Sequence, residues 1–172
     1  MKTLCLLLFS IVLQNDWVTF STKDCTVLFP KKPTDTEQTT SSAIGPLKMH
    51  LHLYEVPDGG QLDDNMFYGL ITSEYPDSVI NSGMKDKLDK FFAGSSEGAA
   101  SNIHGKLVSS KVIQLNGYPG REIKVDGADG SYVVHMRSYL VKNVMYILEV
   151  ITATPKEGNA SIGRFMNSFG LK

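Results

Sequence analysis

Residues 111–152 limit the possible folds more than any other part of this chain. Four β-prone segments, 107–115, 121–125, 132–141 and 144–152, are divided by the corner Asn116-Gly117-Tyr118-Pro119-Gly120, by Asp126-Gly127-Ala128-Asp129-Gly130 and by the pair Lys142-Asn143. Each divider is built from residues that favour chain reversal. Four strands joined this closely form an antiparallel meander. The two-residue gap at Lys142-Asn143 is the commonest hairpin length, and asparagine tolerates the positive φ such a turn requires. With Val141 opposite Val144, one face carries His135, Arg137, Tyr139, Tyr146, Leu148 and Val150, and the other carries Val134, Met136, Leu140, Met145, Ile147 and Ile151. A sheet with one wet face would alternate more cleanly, so the central strands must be covered on both sides.

The first half of the chain supplies further strands. Trp17-Val18-Thr19-Phe20 is β-prone, 21–24 turns, and 25–29 is a strand stopped by Pro30 and Pro33, since proline lacks the ladder donor. Residues 34–42 are rich in Thr and Ser and read as a loop or an edge. Segment 46–56 alternates Leu47, Met49, Leu51 and Leu53 with Lys48, His50, His52 and Tyr54; Pro57-Asp58-Gly59-Gly60 turns the chain into a strand at 66–73. Met84, Leu88, Phe91 and Phe92 then recur at helical spacing, with Asn81 or Ser82 as N-cap and Gly94 as the stop; 97–103 reads as a second, weaker helix. Ile162, Phe165, Met166 and Phe169 mark a terminal amphipathic helix opened by Asn159 or Ala160 and closed by Gly170. The pattern is α+β: a central antiparallel sheet of about seven to eight strands with helices packed on it, in one domain.

The 172 residues suit a single domain with a self-sufficient core, and a net charge of −1 with pI near 6.4 gives no field for nucleic acid. Lys2 precedes an apolar run, 4–13, broken only by Ser10 and ended by Gln14-Asn15-Asp16. This is the pattern of a secretory signal, so 1–15 is expected to be removed and 16–172 to form the domain, secreted or periplasmic; the other reading is a buried N-terminal strand or helix. The run falls short of the roughly 20 residues that span a bilayer, so no stable transmembrane anchor is expected after removal. Cys25 then becomes the sole cysteine, expected as a buried small hydrophobe. The sequence has no phosphate-cradling Gly-rich loop, His-Glu-x-x-His or Cys-x-x-Cys. No cofactor is called for, and a non-enzymatic role is expected.

Trp17–Phe20 followed by Val27-Leu28-Phe29-Pro30, then Leu115-Asn116-Gly117-Tyr118-Pro119-Gly120-Arg121-Glu122, Arg137-Ser138-Tyr139-Leu140-Val141 and the closing Phe165 and Ser168-Phe169, resemble the Mog1/PsbP-like fold, in particular small extracytoplasmic bacterial domains of uncharacterised role. The resemblance covers most of the chain after the leader. It implies an α/β/α sandwich. Its relatives include a photosystem accessory protein and a GTPase-release factor, and no residue here carries either role across.

Several residues are candidates for function. His50 and His52 project from one strand face at a spacing that can serve a metal, with His135, Glu55 or Glu149 as conceivable further ligands, or else form a polar strand face. Arg121 and Arg137, on neighbouring strands, read either as an anion-recognising pair or as cross-strand partners of Glu122, Glu149 or Asp126. Tyr118, between Gly117 and Pro119, is placed at a loop tip, either presented to a partner or folded back over the sheet edge. Asn159-Ala160-Ser161 matches a glycosylation acceptor, but serves better as a helix cap. The expected function is binding of a protein or cell-envelope partner through Tyr118, Arg121 and Arg137. The alternatives are a carrier with an apolar pocket near Phe91, Phe92, Tyr139 and Tyr146, and a metal-dependent enzyme at His50 and His52.

Overall fold

The computed structural model describes residues 17–42, 45–57 and 63–172. Strands β1 (Val18–Ser21), β2 (Cys25–Phe29), β3 (Thr34–Ser42), β4 (Gly45–Glu55) and β5 (Asn65–Glu74) lead to helix α1 (Lys85–Asn102). The meander follows as β6 (Lys106–Leu115), β7 (Tyr118–Asp126), β8 (Tyr132–Val141) and β9 (Val144–Ala153). A 3₁₀ turn at Thr154–Lys156 leads to helix α2 (Ala160–Asn167) and the short β10 (Gly170–Leu171). Seven strands form one antiparallel sheet in the order β3-β4-β5-β9-β8-β7-β6, and β1-β2-β10 form a second, three-stranded sheet. The α+β class and the antiparallel meander are as the sequence predicts, including Val141 opposite Val144.

Alternation along the large sheet sorts its side chains into two layers. One face packs Ile123, Val125, Val134, Leu140 and Met145 against Ile80 and α1 through Phe92 and Ala100. The other packs Tyr68, Leu70, Tyr139, Tyr146, Leu148 and Val150 against β2 and α2. Phe29, Tyr68 and Phe165 meet edge-on there at 5.1–5.3 Å between centroids, and all three are fully buried. Truncating a buried ring such as Phe165 to alanine costs ~3–5 kcal/mol.

Of the two readings of residues 34–42, the edge holds: they form an edge strand, paired with β4 from Thr34↔Leu53 to Ser42↔Gly45. Its Thr, Asp, Glu and Gln side chains suit the edge position, where polar residues discourage pairing with other chains. Three other local expectations change. Helix α1 runs 18 residues without stopping at Gly94, and absorbs the second helix expected at 97–103. A Cβ at Gly94 would meet nothing within 4 Å, so no packing demand ends the helix there. Its N-cap is Met84 with no side-chain hydrogen bond, while Asn81 Oδ1 accepts from the Gly83 N–H at 2.9 Å. At the β8–β9 hairpin the positive φ falls on Lys142 (54°); Asn143 instead donates its side-chain amide to the Tyr75 carbonyl at 2.7 Å.

A buried polar cluster locks α2 to the large sheet. Asn159 Oδ1 accepts from the N–H groups of Ser161 and Ile162, making Asn159 the N-cap. Its Nδ2 donates to Asn65 Oδ1 at 2.8 Å, and Asn65 Nδ2 donates back to Asn159 Oδ1 at 3.2 Å. Asn65 Nδ2 also reaches the Tyr68 hydroxyl at 2.7 Å, which donates to Asp63 Oδ1 at 2.7 Å. Burial and the Asp63 carboxylate push the Tyr68 pKa far above its ordinary value, so the hydroxyl keeps its proton.

The two covering layers differ greatly in size from the sheet. β1, β2 and β10 have 4, 5 and 2 residues. The strands of the large sheet have 9 to 11. At about 3.3 Å per residue, the small sheet covers roughly half the strand length, and α2 adds about 12 Å. Among the described residues, one end of the face is left uncovered.

Candidate functional site

That open end is a cleft of about 860 Å³. Its floor is Thr72, Val141, Val144 and Tyr146 of the large sheet, and one wall is Lys48, His50 and His52 of β4. The opposite wall is the β1–β2 turn, with Thr22, Lys23 and Asp24, together with Leu171 and Lys172. Asn116 and Tyr118 come from the β6–β7 corner, and Lys142 and Asn143 from the β8–β9 hairpin. Its volume is that of an ordinary ligand pocket, but its rim is far more polar than is usual.

The local chemistry follows from register. Glu37 faces His50 and Asp35 faces His52 across β3–β4. His50 Nδ1 lies 3.1 Å from Glu37 Oε1, and Lys48 Nζ 2.8 Å from Glu37 Oε2. His52 Nδ1 is 3.2 Å from Asp35 Oδ1, yet it is misaligned for a hydrogen bond and buried without one. The Phe20 ring covers His52 at 4.6 Å. Burial, helped by the nearby His50, outweighs Asp35 and holds the His52 pKa below its ordinary value. Burial likewise raises Tyr146 to about 12. The Cys25 Sγ behind the wall is 3.3 Å from Thr22 Oγ1, and burial pushes its thiol up. At the rim, Lys23, Lys48, Lys142 and Lys172 outnumber Asp24 and Glu74.

No family model matches the sequence, and no curated protein matches it. Among solved structures, the chain is similar to the solution structure of cyanobacterial PsbP (CyanoP) from Synechocystis sp. PCC 6803, with a TM-score of 0.50 over 94% of this chain and 95% of that one, at 10% identity. The fold is PsbP-like. At that identity the likeness concerns the fold alone. No helix among the described residues is long and apolar enough to cross a membrane.

The PsbP-like sheet brings some of the predicted residues together and separates others. Tyr118, His50 and His52 share the cleft. Tyr118 is not at a loop tip: Asn116 (φ 50°) and Gly117 (φ 81°) make the reversal alone, and β7 starts at Tyr118 opposite Leu115. Both positive φ values explain why an Asn-Gly pair stands there.

Arg121 and Arg137 do not form a pair. Arg121 lies opposite Ser138, and Arg137 opposite Glu122, so the two guanidinium groups leave the sheet on opposite faces. Arg121 sits under α1, with Nη2 3.3 Å from Asp89 Oδ1 and its guanidinium 5.8 Å from the Phe92 centroid. Its Nε is buried without a partner. Arg137 Nε donates to Glu122 on its own face, and Nη1 to Asn167 Oδ1 at 2.7 Å. The expected apolar pocket is divided in the same way. Phe91 and Phe92 lie on the α1 side, while Tyr139 stacks on Phe169 (5.8 Å, 6°) on the other. Among the described residues, no three His, Cys, Asp or Glu side chains group to hold a metal.

Lys23, Lys142 and Lys172 are functional candidates that the sequence reading missed. Each sits on a different turn or chain end, and only the closing of β10 onto β2 brings them around one cleft.

Proposed function

We propose that this chain is a secreted or periplasmic, non-enzymatic binding domain that holds a protein or cell-envelope partner in the cleft beside Tyr118. The leader-like start at 1–15 supports export. The observation that carries the binding role is the cleft itself, an end of the sheet that the small sheet and α2 leave unsealed among the described residues, rimmed by three turns and by Leu171 and Lys172. Loops held on a rigid scaffold are where recognition residues concentrate. The cleft imidazoles turn toward the carboxylates of β3 rather than toward a hydroxyl or thiol, which suits binding better than nucleophilic chemistry.

The test is site-specific photo-crosslinking in envelope extract, with the photoreactive residue at position 118 in the cleft or at exposed position 85 on α1. A discrete adduct from position 118 alone is expected. Equal labelling from both positions, or none from 118, would overturn the proposal.

A further inference from the structure

We infer that the cleft takes an acidic, extended segment of a partner protein. This rests on the cleft being the binding site. Four lysines against Asp24, Glu74 and the Glu37 beside Lys48 give the rim a positive balance, and they approach from separate sides: Lys48 from β4, Lys23 from the β1–β2 turn, Lys142 from a hairpin and Lys172 from the residue after β10. The Lys48 charge is shared with Glu37, Lys23 is 3.8 Å from Asp24 and Lys172 Nζ donates to the Thr22 carbonyl, while Lys142 stands exposed on its turn. Lysines are point charges on flexible stems and lack the planar fork that grips phosphate from two directions. Spaced along a channel, they match carboxylates spaced along a chain.

A backbone feature favours polypeptide over an anionic polymer. β10 is an edge of the small sheet, and the Lys172 N–H bonds to the Asp24 carbonyl at 3.0 Å. In an antiparallel ladder the bonded pairs alternate, so Gly170 and Lys172 face β2 while the N–H and C=O of Leu171 point away from it. Leu171 lines the cleft. An extended peptide laid there meets a main-chain donor and acceptor of the kind that adds a strand to an open edge. Its acidic side chains then reach the lysines, and Tyr118 offers an aromatic surface at the far side.

The experiment is a fluorescence-anisotropy titration of the purified protein with a labelled hexaglutamate peptide, a Gly-Ser peptide of equal length, and a polyphosphate chain. Hexaglutamate is expected to bind, more weakly as salt rises. Its affinity is expected to fall at least about tenfold in the double variant Lys23→Glu/Lys142→Glu and to be unchanged in Lys85→Glu/Lys90→Glu on α1. All four residues are exposed, and matching circular dichroism melts would confirm that each variant folds. The amide resonance of Leu171 is expected to shift on peptide addition. Hexaglutamate binding that ignores the cleft reversal, or lysine-dependent binding of polyphosphate without hexaglutamate, overturns the acidic-segment assignment. If position 118 still yields its crosslink in that case, the cleft stands and only the partner chemistry is wrong. Without the crosslink, the cleft itself fails as the site.

Discussion

Glu149 lies on the α1 side of β9, between Ile147 and Ile151 on its own strand face and opposite Gly69 and Met136 on the neighbouring strands. Nothing charged offsets its burial, which raises its pKa from the ordinary 4.5 to about 7. A carboxyl with a raised folded-state pKa binds its proton more tightly when folded. Its contribution to stability is therefore full below about pH 4.5, declines as the unfolded chain ionises first, and levels off once the folded form ionises near pH 7. At about 1.4 kcal/mol per unit, the loss across that window is about 3 kcal/mol. Urea denaturation at pH 5 and pH 8 is expected to show the decline in the native protein and to show it largely removed in Glu149→Gln. An equally steep decline in the variant would place Glu149 in water.

Helix α2 depends on one side chain for both its start and its seat. Asn159→Ala removes the cap on Ser161 and Ile162 and takes the donor from the carbonyl oxygen of the fully buried Asn65. A lost cap costs ~1 kcal/mol and an unsatisfied buried polar group ~1–3 kcal/mol, so a loss of about 2–4 kcal/mol is expected by chemical denaturation. Asn159→Asp keeps the capping oxygen without the donor and is expected to lose less. A near-neutral Asn159→Ala would mean the Asn65–Asn159 pair contributes no net stability. The cap was legible in the sequence because Asn159 precedes an apolar 3.6-residue period; its partner 94 residues earlier left no local trace. The same distinction separates the other elements. β4, β8 and β9 announced themselves by apolar alternation. β3 did not, since an edge strand in Thr and Ser earns its place through β4 rather than through its own burial. The end of α1 was misjudged because a glycine on a solvent-facing helix turn weakens the helix by only ~1 kcal/mol and does not compel a stop.

Across the whole molecule, the order of elements was readable and the closure of the small sheet was not, because two-residue β10 has no pattern to read. Half of the candidate site depends on that closure: Tyr118, His50 and His52 could be singled out by type and spacing, while Lys23 and Lys172 become neighbours only when the chain end returns to β2. Trp17 packs edge-on against Tyr68 at 5.5 Å, with the Arg164 guanidinium 4.6 Å from its ring. Phe20 meets Phe29 at 5.9 Å and covers His52. Trp17, the residue just after the polar break that ends the leader-like run, is thus already packed into the domain. A chain starting at Asp16 is expected to melt within a few degrees of the full chain in calorimetry. One starting at Thr22 forfeits β1 and both rings, and a drop of roughly 10 °C or more is expected, given about 2–4 °C per kcal/mol at this size. If removing 1–15 lowered the melting temperature as far as removing β1 does, those residues would belong to the folded core, and the export on which the proposed function relies would lose its support.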